Sequence, residues 1–311
     1  MGYYHLFGWL VKSELALPGL EEVTADRVPD VVIERGDLTA NWQRAGSKDW
    51  FAVESPSSVL FSIEDAGIYR VEDGNHITVS AFPDADSNAL HLYLLGSCLG
   101  ALLLERRIYP LHGSAVVIDG RAYVIVGESG AGKSTLAMAF AQLGYSLLTD
   151  DIAAVSLAHE AQPMIIPSYP QQKVWQETLD AFGDSSAGLR PLYLRDTKYY
   201  RPMRACFASH ATPLAGVIEL VKTKNPQPSL IAIPKMKGLE LLFQHTYRNM
   251  FIPQMKLMAW HFQESVQLAR QITIHRLERP ARGAFTAAQL AFLILHDVAG
   301  KQEMISQSFG E

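Results

Sequence analysis

Short apolar runs separated by polar turns dominate the first 86 residues. Alternating apolar and polar positions, interrupted by Pro, Gly and Asp, predict strands at residues 3–11, 31–33, 51–53, 59–63 and 77–79. No pattern that carries chemistry lies in this segment. We therefore predict a β-rich N-terminal part over residues 1–86.

An uncharged stretch follows at residues 87–104 and contains the small residues Gly96, Ser97 and Gly100. It falls short of the roughly 20 apolar residues of a membrane span. We therefore predict a buried helix that is capped at Ser87 or Asn88. Because Lys12 and Glu14 interrupt the apolar N-terminus, it does not resemble a secretion signal. We expect a cytoplasmic protein with no membrane partner.

From residue 111 onward, strand and helix patterns mix. Two apolar runs flank Asp119-Gly120, a strong hairpin signal. A helical pattern at 133–143 ends at Gly144 and leads into a strand at 146–149. Further strands are predicted at 217–221 and 230–233, and helices at 254–271 and 285–298. Residues 163–213 have no clear helical or strand periodicity of hydrophobic positions and could form a long functional loop or a lid over the substrate. The chain is thus predicted to be α/β, with a second domain at 87–311.

Composition narrows the function classes. With 311 residues, 48% hydrophobic and 19% charged, the chain can build a full core, which excludes a disordered protein. A formal net charge of −5 gives no electrostatic reason to expect nucleic acid or an anionic membrane as partner. Cys98 and Cys206 are too few for a disulfide scaffold or a four-thiolate zinc site.

Residues 127–134 match the phosphate-binding pattern G-x-x-x-x-G-K-[ST]. Its glycines let backbone N–H groups turn toward phosphates, the lysine adds a positive charge, and the Ser134 hydroxyl can bind Mg²⁺. A predicted strand runs into this loop and a predicted helix leaves it, as the motif requires. The residues predicted to bind the nucleotide are Gly127, Glu128, Ser129, Gly130, Ala131, Gly132, Lys133, Ser134 and Thr135.

Two adjacent carboxylates, Asp150 and Asp151, follow 17 and 18 residues after Lys133. That spacing accommodates a helix, a turn and a strand, which predicts both residues at the C-terminal end of a neighbouring strand, facing the phosphates. One carboxylate there could bind the metal ion while the other acts as the base. The alternative is a pair of solvated turn residues.

Hairpin pairing adds a third residue to this group. A two-residue turn at Asp119-Gly120 pairs Ile118 with Arg121, and the same register places His112 opposite Gly127, at the start of the loop. We predict that His112 orients or tunes a carboxylate, although a structural histidine is equally compatible with the sequence. Phosphoryl transfer also needs a further cation, for which Lys198 and Arg248 are our candidates. Either could instead be a solvated surface residue.

Together, His112-Gly113-Ser114, the hairpin, the glycine loop and Asp150-Asp151 resemble the catalytic core of HPr kinase/phosphorylase, a P-loop serine kinase. The resemblance covers residues 111–155. It implies Asp150 as the general base, Ser134 and Asp151 as Mg²⁺ ligands, and Lys133 as a phosphate ligand. Two features depart from it: Glu128 stands where the family has Asp, and the downstream R-G-x-G signature is missing.

The overall layout is similar to the HPr-kinase-like proteins of lasso-peptide gene clusters, through features such as Ser13-Glu14-Leu15 and His245-Thr246-Tyr247-Arg248. This resemblance implies an ATP- and Mg²⁺-dependent kinase acting on the C-terminal serine of a precursor peptide, and a possible homo-oligomer. Two alternatives remain. One is a kinase/phosphorylase of the HPr carrier protein. The other is an ATPase or nucleotide switch without an acceptor, although neither the N-K-x-D nor the L-S-G-G-Q motif is present.

Overall fold

Two seven-stranded sheets organise the computed structural model, which describes residues 1–158, 162–281 and 286–299. The N-terminal sheet has the order β1-β2-β3-β7-β6-β5-β4. Its strands are β1 (Gly2–Leu6), β2 (Trp9–Ser13), β3 (Val31–Arg35), β4 (Phe51–Ser55), β5 (Ser58–Ile63), β6 (Gly67–Glu72) and β7 (His76–Ala81). The β-rich character predicted for this segment is confirmed.

Two details of the N-terminal sheet differ from the prediction. The segment predicted as one strand at 3–11 is a hairpin of β1 and β2, because Phe7 and Gly8 both have positive φ and reverse the chain. Strand β6 was not predicted, and neither was the short helix α1 (Thr39–Ala45).

The uncharged stretch forms the predicted buried helix in three segments: α2 (Ser87–Tyr93), a π-helical turn (Leu94–Cys98) and α3 (Leu99–Glu105). The predicted cap was wrong by one or two residues: the Asp86 carboxylate accepts hydrogen bonds from the backbone N–H groups of Asn88 and Ala89. The helix is long and apolar enough to span a membrane. However, 72% of its most apolar window is buried within the fold, as in the core helix of a globular protein.

The second sheet has the order β11-β10-β8-β9-β15-β17-β16, with parallel pairs β9–β15 and β15–β17. Its strands are β8 (Tyr109–Ile118), β9 (Arg121–Val126), β10 (Ser146–Ser156), β11 (Met164–Ile166), β15 (Thr212–Thr223), β16 (Ser229–Ala232) and β17 (Thr273–Pro280). The strands predicted at 217–221 and 230–233 are therefore found, whereas β17 was missed.

Helices cover both faces of the second sheet. They are α4 (Lys133–Gln142), α6 (Lys235–Gln244), α8 (Met258–Gln271) and α9 (Ala287–Ala299), whereas the short α7 (Phe251–Gln254) packs in the core shared with the N-terminal sheet. Helices α4 and α9 pack on one face, while α6 and α8 pack on the other. The helix predicted from residue 254 is interrupted at Lys256, whose φ is 56°. The helix predicted from residue 285 begins at Ala287, and residue 285 itself lies outside the described residues.

The segment without a clean period folds mainly as a small third sheet with the order β12-β14-β13 and one helix. These elements are β12 (Gln171–Trp175), α5 (Gln176–Ala181), β13 (Arg190–Leu192) and β14 (Arg195–Pro202). Strand β12 packs against α4, the helix that follows the glycine loop, and the Thr178 hydroxyl of α5 lies 2.8 Å from the Thr135 hydroxyl of α4. The segment is therefore placed to cover that loop.

One apolar core crosses the predicted boundary at residue 86. It contains Phe61 from the N-terminal sheet, Leu99 from the buried helix and Phe251 from α7, all of which are fully buried. The Phe251 ring stacks on that of Phe61 with a centroid distance of 5.3 Å. The β-rich part therefore packs directly against elements that follow it in the chain.

Candidate functional site

The β8–β9 hairpin positions the start of the site. Asp119 and Gly120 have φ values of 48° and 75°, as a two-residue type I′ turn requires. Ile118 pairs with Arg121 and Gly113 with Val126, so the register predicted from the turn is confirmed over these residues. The ladder ends there: the His112 N–H donates to the His245 carbonyl oxygen at 2.7 Å, and the predicted pairing of His112 with Gly127 is not found.

The glycine loop connects β9 to α4, the strand–loop–helix setting that the motif needs. Gly127, Gly130 and Gly132 have φ values of 146°, 78° and 108°, which side chains disfavour. A Cβ at Gly127 would also lie 2.6 Å from the Leu220 carbonyl oxygen. No side chain caps α4. The N–H groups of its first turn are therefore free to bind an anion.

The Lys133 ammonium folds back over this loop. Its Nζ donates to the carbonyl oxygens of Gly127 at 2.9 Å and Glu128 at 3.1 Å. Burial lowers the pKa of Lys133, whereas the charges of Asp151 and Asp150 act in the opposite direction. Its proximity to both carboxylates places the lysine at the centre of the site.

The two aspartates lie on β10, but not where the spacing predicted. They sit in the middle of the strand rather than at its C-terminal end, opposite Ser114 and Gly113 of β8. Strand β10 is also not the direct neighbour of β9, because β8 lies between them. The prediction failed because the hairpin inserts its first strand at the position expected for β10. Both carboxylates still reach the loop.

Asp150 is 5% exposed and is held by two donors. The Ser114 hydroxyl donates to its Oδ1, and the backbone N–H of Lys173 donates to its Oδ2 at 2.9 Å. A buried carboxylate with a donor on each oxygen has a fixed orientation. Asp150 nevertheless lines a cavity, so it remains accessible to a bound substrate.

Asp151 has a strained backbone, with φ of 115°, of the kind that accumulates at functional sites. Its Oδ2 lies 2.5 Å from the Lys173 ammonium, and its Oδ1 lies 3.6 Å from Nδ1 of His112. Burial opposes ionisation of Asp151, but these two neighbours more than offset it and lower its pKa to about 2. Asp151 is therefore ionised at neutral pH.

His112 is half-buried beside Asp151. Its Nδ1 lies 3.0 Å from the Asp151 carbonyl oxygen, and its ring packs against that of Tyr247 at 5.4 Å. Burial lowers the pKa of His112, and the Asp151 charge partly counteracts this. The position agrees with the predicted task of orienting a carboxylate, which remains a prediction.

A cavity of about 420 Å³ joins these groups. Ten of the predicted residues line it: His112, Ser129, Gly130, Gly132, Lys133, Ser134, Thr135, Asp150, Asp151 and Lys198. Gly127, Glu128 and Ala131 line an adjoining cavity of about 440 Å³ on the other side of the loop. The Lys198 ammonium lies 5.2 Å from the centre of the Trp175 ring. Burial lowers the pKa of Lys198.

Arg248, the second predicted cation, does not line the main cavity. Its guanidinium donates to the Ser97 hydroxyl at 2.8 Å and packs over the Trp50 ring at 5.0 Å. The structure therefore places Arg248 between the buried helix and the N-terminal sheet. Direct contact with a transferring phosphoryl group is not supported by this position.

Sequence reasoning missed several residues that line the cavity. Lys173 and Trp175 come from β12, Lys222 from β15 and Arg279 from β17. Arg279 Nε also donates to the Ala131 carbonyl oxygen at 2.9 Å and so supports the loop. The alternation that places Lys173 and Trp175 on one face of β12 was a usable signal, but the segment is too short to stand out.

The comparisons with known proteins find weak similarity to one kind of protein. No family model matches the chain. Over 148 residues the chain is 26% identical to the HPr kinase/phosphorylase of Mycoplasmopsis pulmonis. The aligned region covers 47% of this chain and 38% of that protein. A solved structure, the Hpr(Ser) kinase/phosphatase from Coxiella burnetii, aligns at a TM-score of 0.30 and 15% identity, covering 61% of this chain and 94% of that one. The chain thus has weak sequence similarity to HPr kinase/phosphorylase and spans well under half the length of that relative.

Proposed function

We propose that the chain is an ATP- and Mg²⁺-dependent kinase that transfers the γ-phosphoryl group to a serine hydroxyl of a peptide. One observation carries the proposal: the glycine loop, the buried Asp150 and the partly buried Asp151 face the same cavity. Phosphate-binding N–H groups beside a fixed carboxylate are what transfer to a hydroxyl requires. The distant homology to HPr kinase/phosphorylase supports the same reaction class.

In this proposal, the loop N–H groups and Lys133 hold the phosphates of the nucleotide. Asp150 accepts the proton of the acceptor hydroxyl while the hydroxyl oxygen attacks the γ-phosphorus. The bond between the γ-phosphorus and the bridging oxygen breaks, and ADP leaves. Ser114 and the Lys173 backbone N–H fix the orientation of Asp150 for that task. The positive charges of Lys133 and Lys198 stabilise charge on the transferring group.

The residues present fit a magnesium ion. Ser134 and Asp151 offer hydroxyl and carboxylate oxygens in one cavity, which are the hard ligands that Mg²⁺ prefers. Among the described residues, no group of three His, Cys, Asp or Glu side chains could hold a metal by itself. This suits Mg²⁺, which commonly binds through one or two carboxylates together with substrate phosphates and water. When bound, the ion would neutralise charge on those phosphates.

The acceptor we favour is a lasso-peptide precursor, phosphorylated at its C-terminal serine. The support is the sequence resemblance to kinases of lasso-peptide gene clusters. The sequence similarity to HPr kinase/phosphorylase favours a second candidate, an HPr-type carrier protein. Both acceptors present a serine hydroxyl, so the cavity chemistry is the same for either. A cytoplasmic location and possible homo-oligomerisation belong to the same proposal.

The test is mass spectrometry of a lasso precursor, and separately of an HPr-type protein, after incubation with the chain, ATP and Mg²⁺. We expect addition of one phosphate mass to a serine. Asp150→Asn should slow transfer by about 100- to 10,000-fold, because general-base catalysis is lost. ATP affinity should change little, because Asp150 is not a phosphate ligand in the proposal.

Asp196→Asn is the matched control, since Asp196 is an exposed aspartate of β14 that does not line the cavity. It should transfer phosphate at the wild-type rate. Wild-type rates in Asp150→Asn would refute the assignment of the base. Steady ATP hydrolysis that neither acceptor stimulates or diverts would favour an acceptor-free ATPase instead.

A further inference from the structure

We propose that Lys173 and a divalent metal ion compete for Asp151, and that Lys173, once displaced, supplies positive charge to the transferring phosphoryl group. This inference rests on the proposed function and adds a cation that the sequence did not reveal. It follows from the position of one lysine between two carboxylates.

Lys173 contacts both aspartates through different groups. Its ammonium lies 2.5 Å from Oδ2 of Asp151, and its backbone N–H donates to Oδ2 of Asp150 at 2.9 Å. The side chains of Lys173 and Asp151 are 12% and 14% exposed. The backbone contact fixes the position of Lys173, and its side-chain ammonium neutralises the charge of Asp151.

The remaining neighbours of Lys173 do not replace Asp151 as its partner. Three tyrosines, Tyr169, Tyr200 and Tyr247, also lie near enough to interact electrostatically with its ammonium. Burial raises the pKa of each tyrosine hydroxyl, so all three are neutral at physiological pH. The charge of Lys173 is therefore balanced by Asp151.

None of the other three lysines that line the cavity, Lys133, Lys198 and Lys222, forms an ion pair with Asp151. The Lys133 ammonium donates to two loop carbonyl oxygens, and the Lys198 ammonium lies over the Trp175 ring. Lys173 is the one of the four that holds an Asp151 oxygen at contact distance.

Competition follows from charge and space. A buried carboxylate is strongly disfavoured without a cation beside it, and either an ammonium or a divalent metal ion can serve. Oδ2 of Asp151 is occupied by Lys173, while His112 stands 3.6 Å from Oδ1. A metal ion bound through Oδ2 must displace the ammonium. The flexible four-carbon stem of lysine permits such a movement within a cavity that also contains the glycine loop.

The first test measures Mn²⁺ binding by electron paramagnetic resonance, with no nucleotide present. Lys173→Met removes the competing charge and should tighten Mn²⁺ binding about 10-fold, while phosphoryl transfer to the acceptor falls about 100-fold. Lys224→Met, at an exposed lysine that lines no part of the cavity, is the control and should leave both unchanged. Unchanged or weaker Mn²⁺ binding in Lys173→Met would overturn the competition.

A second measurement uses the wild-type chain, in case Lys173→Met does not fold. Amine-reactive labelling followed by peptide mass spectrometry reports how available each lysine is. Mg²⁺ alone should speed labelling of Lys173 several-fold and leave Lys224 unchanged. A Lys173 labelling rate that does not respond to saturating Mg²⁺ would overturn the proposal.

The two measurements separate this inference from the proposed function. If neither acceptor is phosphorylated but Mn²⁺ binding tightens in Lys173→Met, the kinase proposal fails and competition for Asp151 stands. If phosphorylation proceeds equally well in Lys173→Met, the kinase proposal stands and the role of Lys173 in transfer is refuted.

Discussion

The two large sheets have seven strands each but bury different kinds of side chain. Residues 1–86, all of which the structure describes, bury no charged side chain, and their buried polar residues are Ser13, Ser58 and Thr78. The second sheet buries Asp150 and Glu219. Burying a charge is costly unless a partner compensates it. The contrast therefore indicates that the second sheet bears a cost in stability because it holds reactive groups.

Compensation is visible at each buried charge of the second sheet. Glu219 lies 3.2 Å from Nε2 of His245 and accepts from Arg276 Nε at 2.7 Å. Asp150 accepts from the Ser114 hydroxyl and from the Lys173 backbone N–H, and the partly buried Asp151 lies against the Lys173 ammonium. The N-terminal sheet needs no such partners. We infer that its contribution is mainly to stability, and that the second sheet carries the reactive groups.

The buried helix connects the two regions. A Cβ at Gly96 would lie 2.9 Å from the Tyr247 hydroxyl, and a Cβ at Gly100 would lie 2.6 Å from the Tyr247 ring. The two glycines therefore make room for Tyr247, whose ring packs on His112. Gly96 lies in the π-helical turn, a feature that often marks functional sites. The buried helix thus supports the site from behind.

The largest effect that separates the two regions should come from Phe61→Ala. Phe61 is fully buried and stacks on Trp50 and Phe251. Truncation of a buried phenylalanine costs about 3–5 kcal/mol through lost burial and the remaining cavity. Chemical denaturation should show this loss, while ATP affinity below the unfolding transition stays within about two-fold of wild type.

Phe262→Ala is the matched control, because this phenylalanine on α8 is 60% exposed. Its free energy of unfolding should change by no more than about 0.5 kcal/mol. A large loss of ATP affinity in folded Phe61→Ala would contradict the division of tasks between the sheets.

A smaller effect concerns acid stability and should trace to the second region. His261 is buried, its Nε2 lies 2.8 Å from the Thr246 hydroxyl, and burial lowers its pKa from 6.5 to about 4. Between pH 6.5 and 4, His261 is therefore protonated in the unfolded chain but stays neutral in the folded chain. The free energy of unfolding should fall on the order of 2 kcal/mol as the pH decreases through that window.

His261→Gln cannot titrate and should flatten this part of the stability profile, measured by denaturation at several pH values. His5→Gln, at an exposed histidine of the N-terminal sheet, should leave the profile unchanged. An equally steep profile in His261→Gln would exclude His261 as the source of the acid sensitivity.

Local signals predicted much of the fold. Asp119-Gly120 gave the hairpin register, since turn chemistry alone determines which residues pair. The glycine loop lies between its strand and helix as expected, because the motif and its flanking periodicity occupy adjacent residues. The mixed α/β class followed from these elements.

Features that depend on distant pairing were not predictable in the same way. The 17-residue spacing from Lys133 to Asp150 fits a neighbouring strand as well as one displaced by β8, so sequence could not choose between them. Lys173 lies 22 residues after Asp151 in the chain. It reaches the carboxylate because β12, which pairs with β14, packs against β10. Arg248 looked like a free cation in sequence, but packing places it on Trp50.

The central claim is that one cavity holds the nucleotide phosphates beside Asp150. A crystal structure of the chain with Mg²⁺ and a non-hydrolysable ATP analogue tests it most directly. We predict the β- and γ-phosphates on the glycine loop, with Lys133 moved from its carbonyl contacts onto a phosphate and the γ-phosphate facing Asp150. A nucleotide bound elsewhere, or one whose γ-phosphate points away from Asp150, would contradict the account.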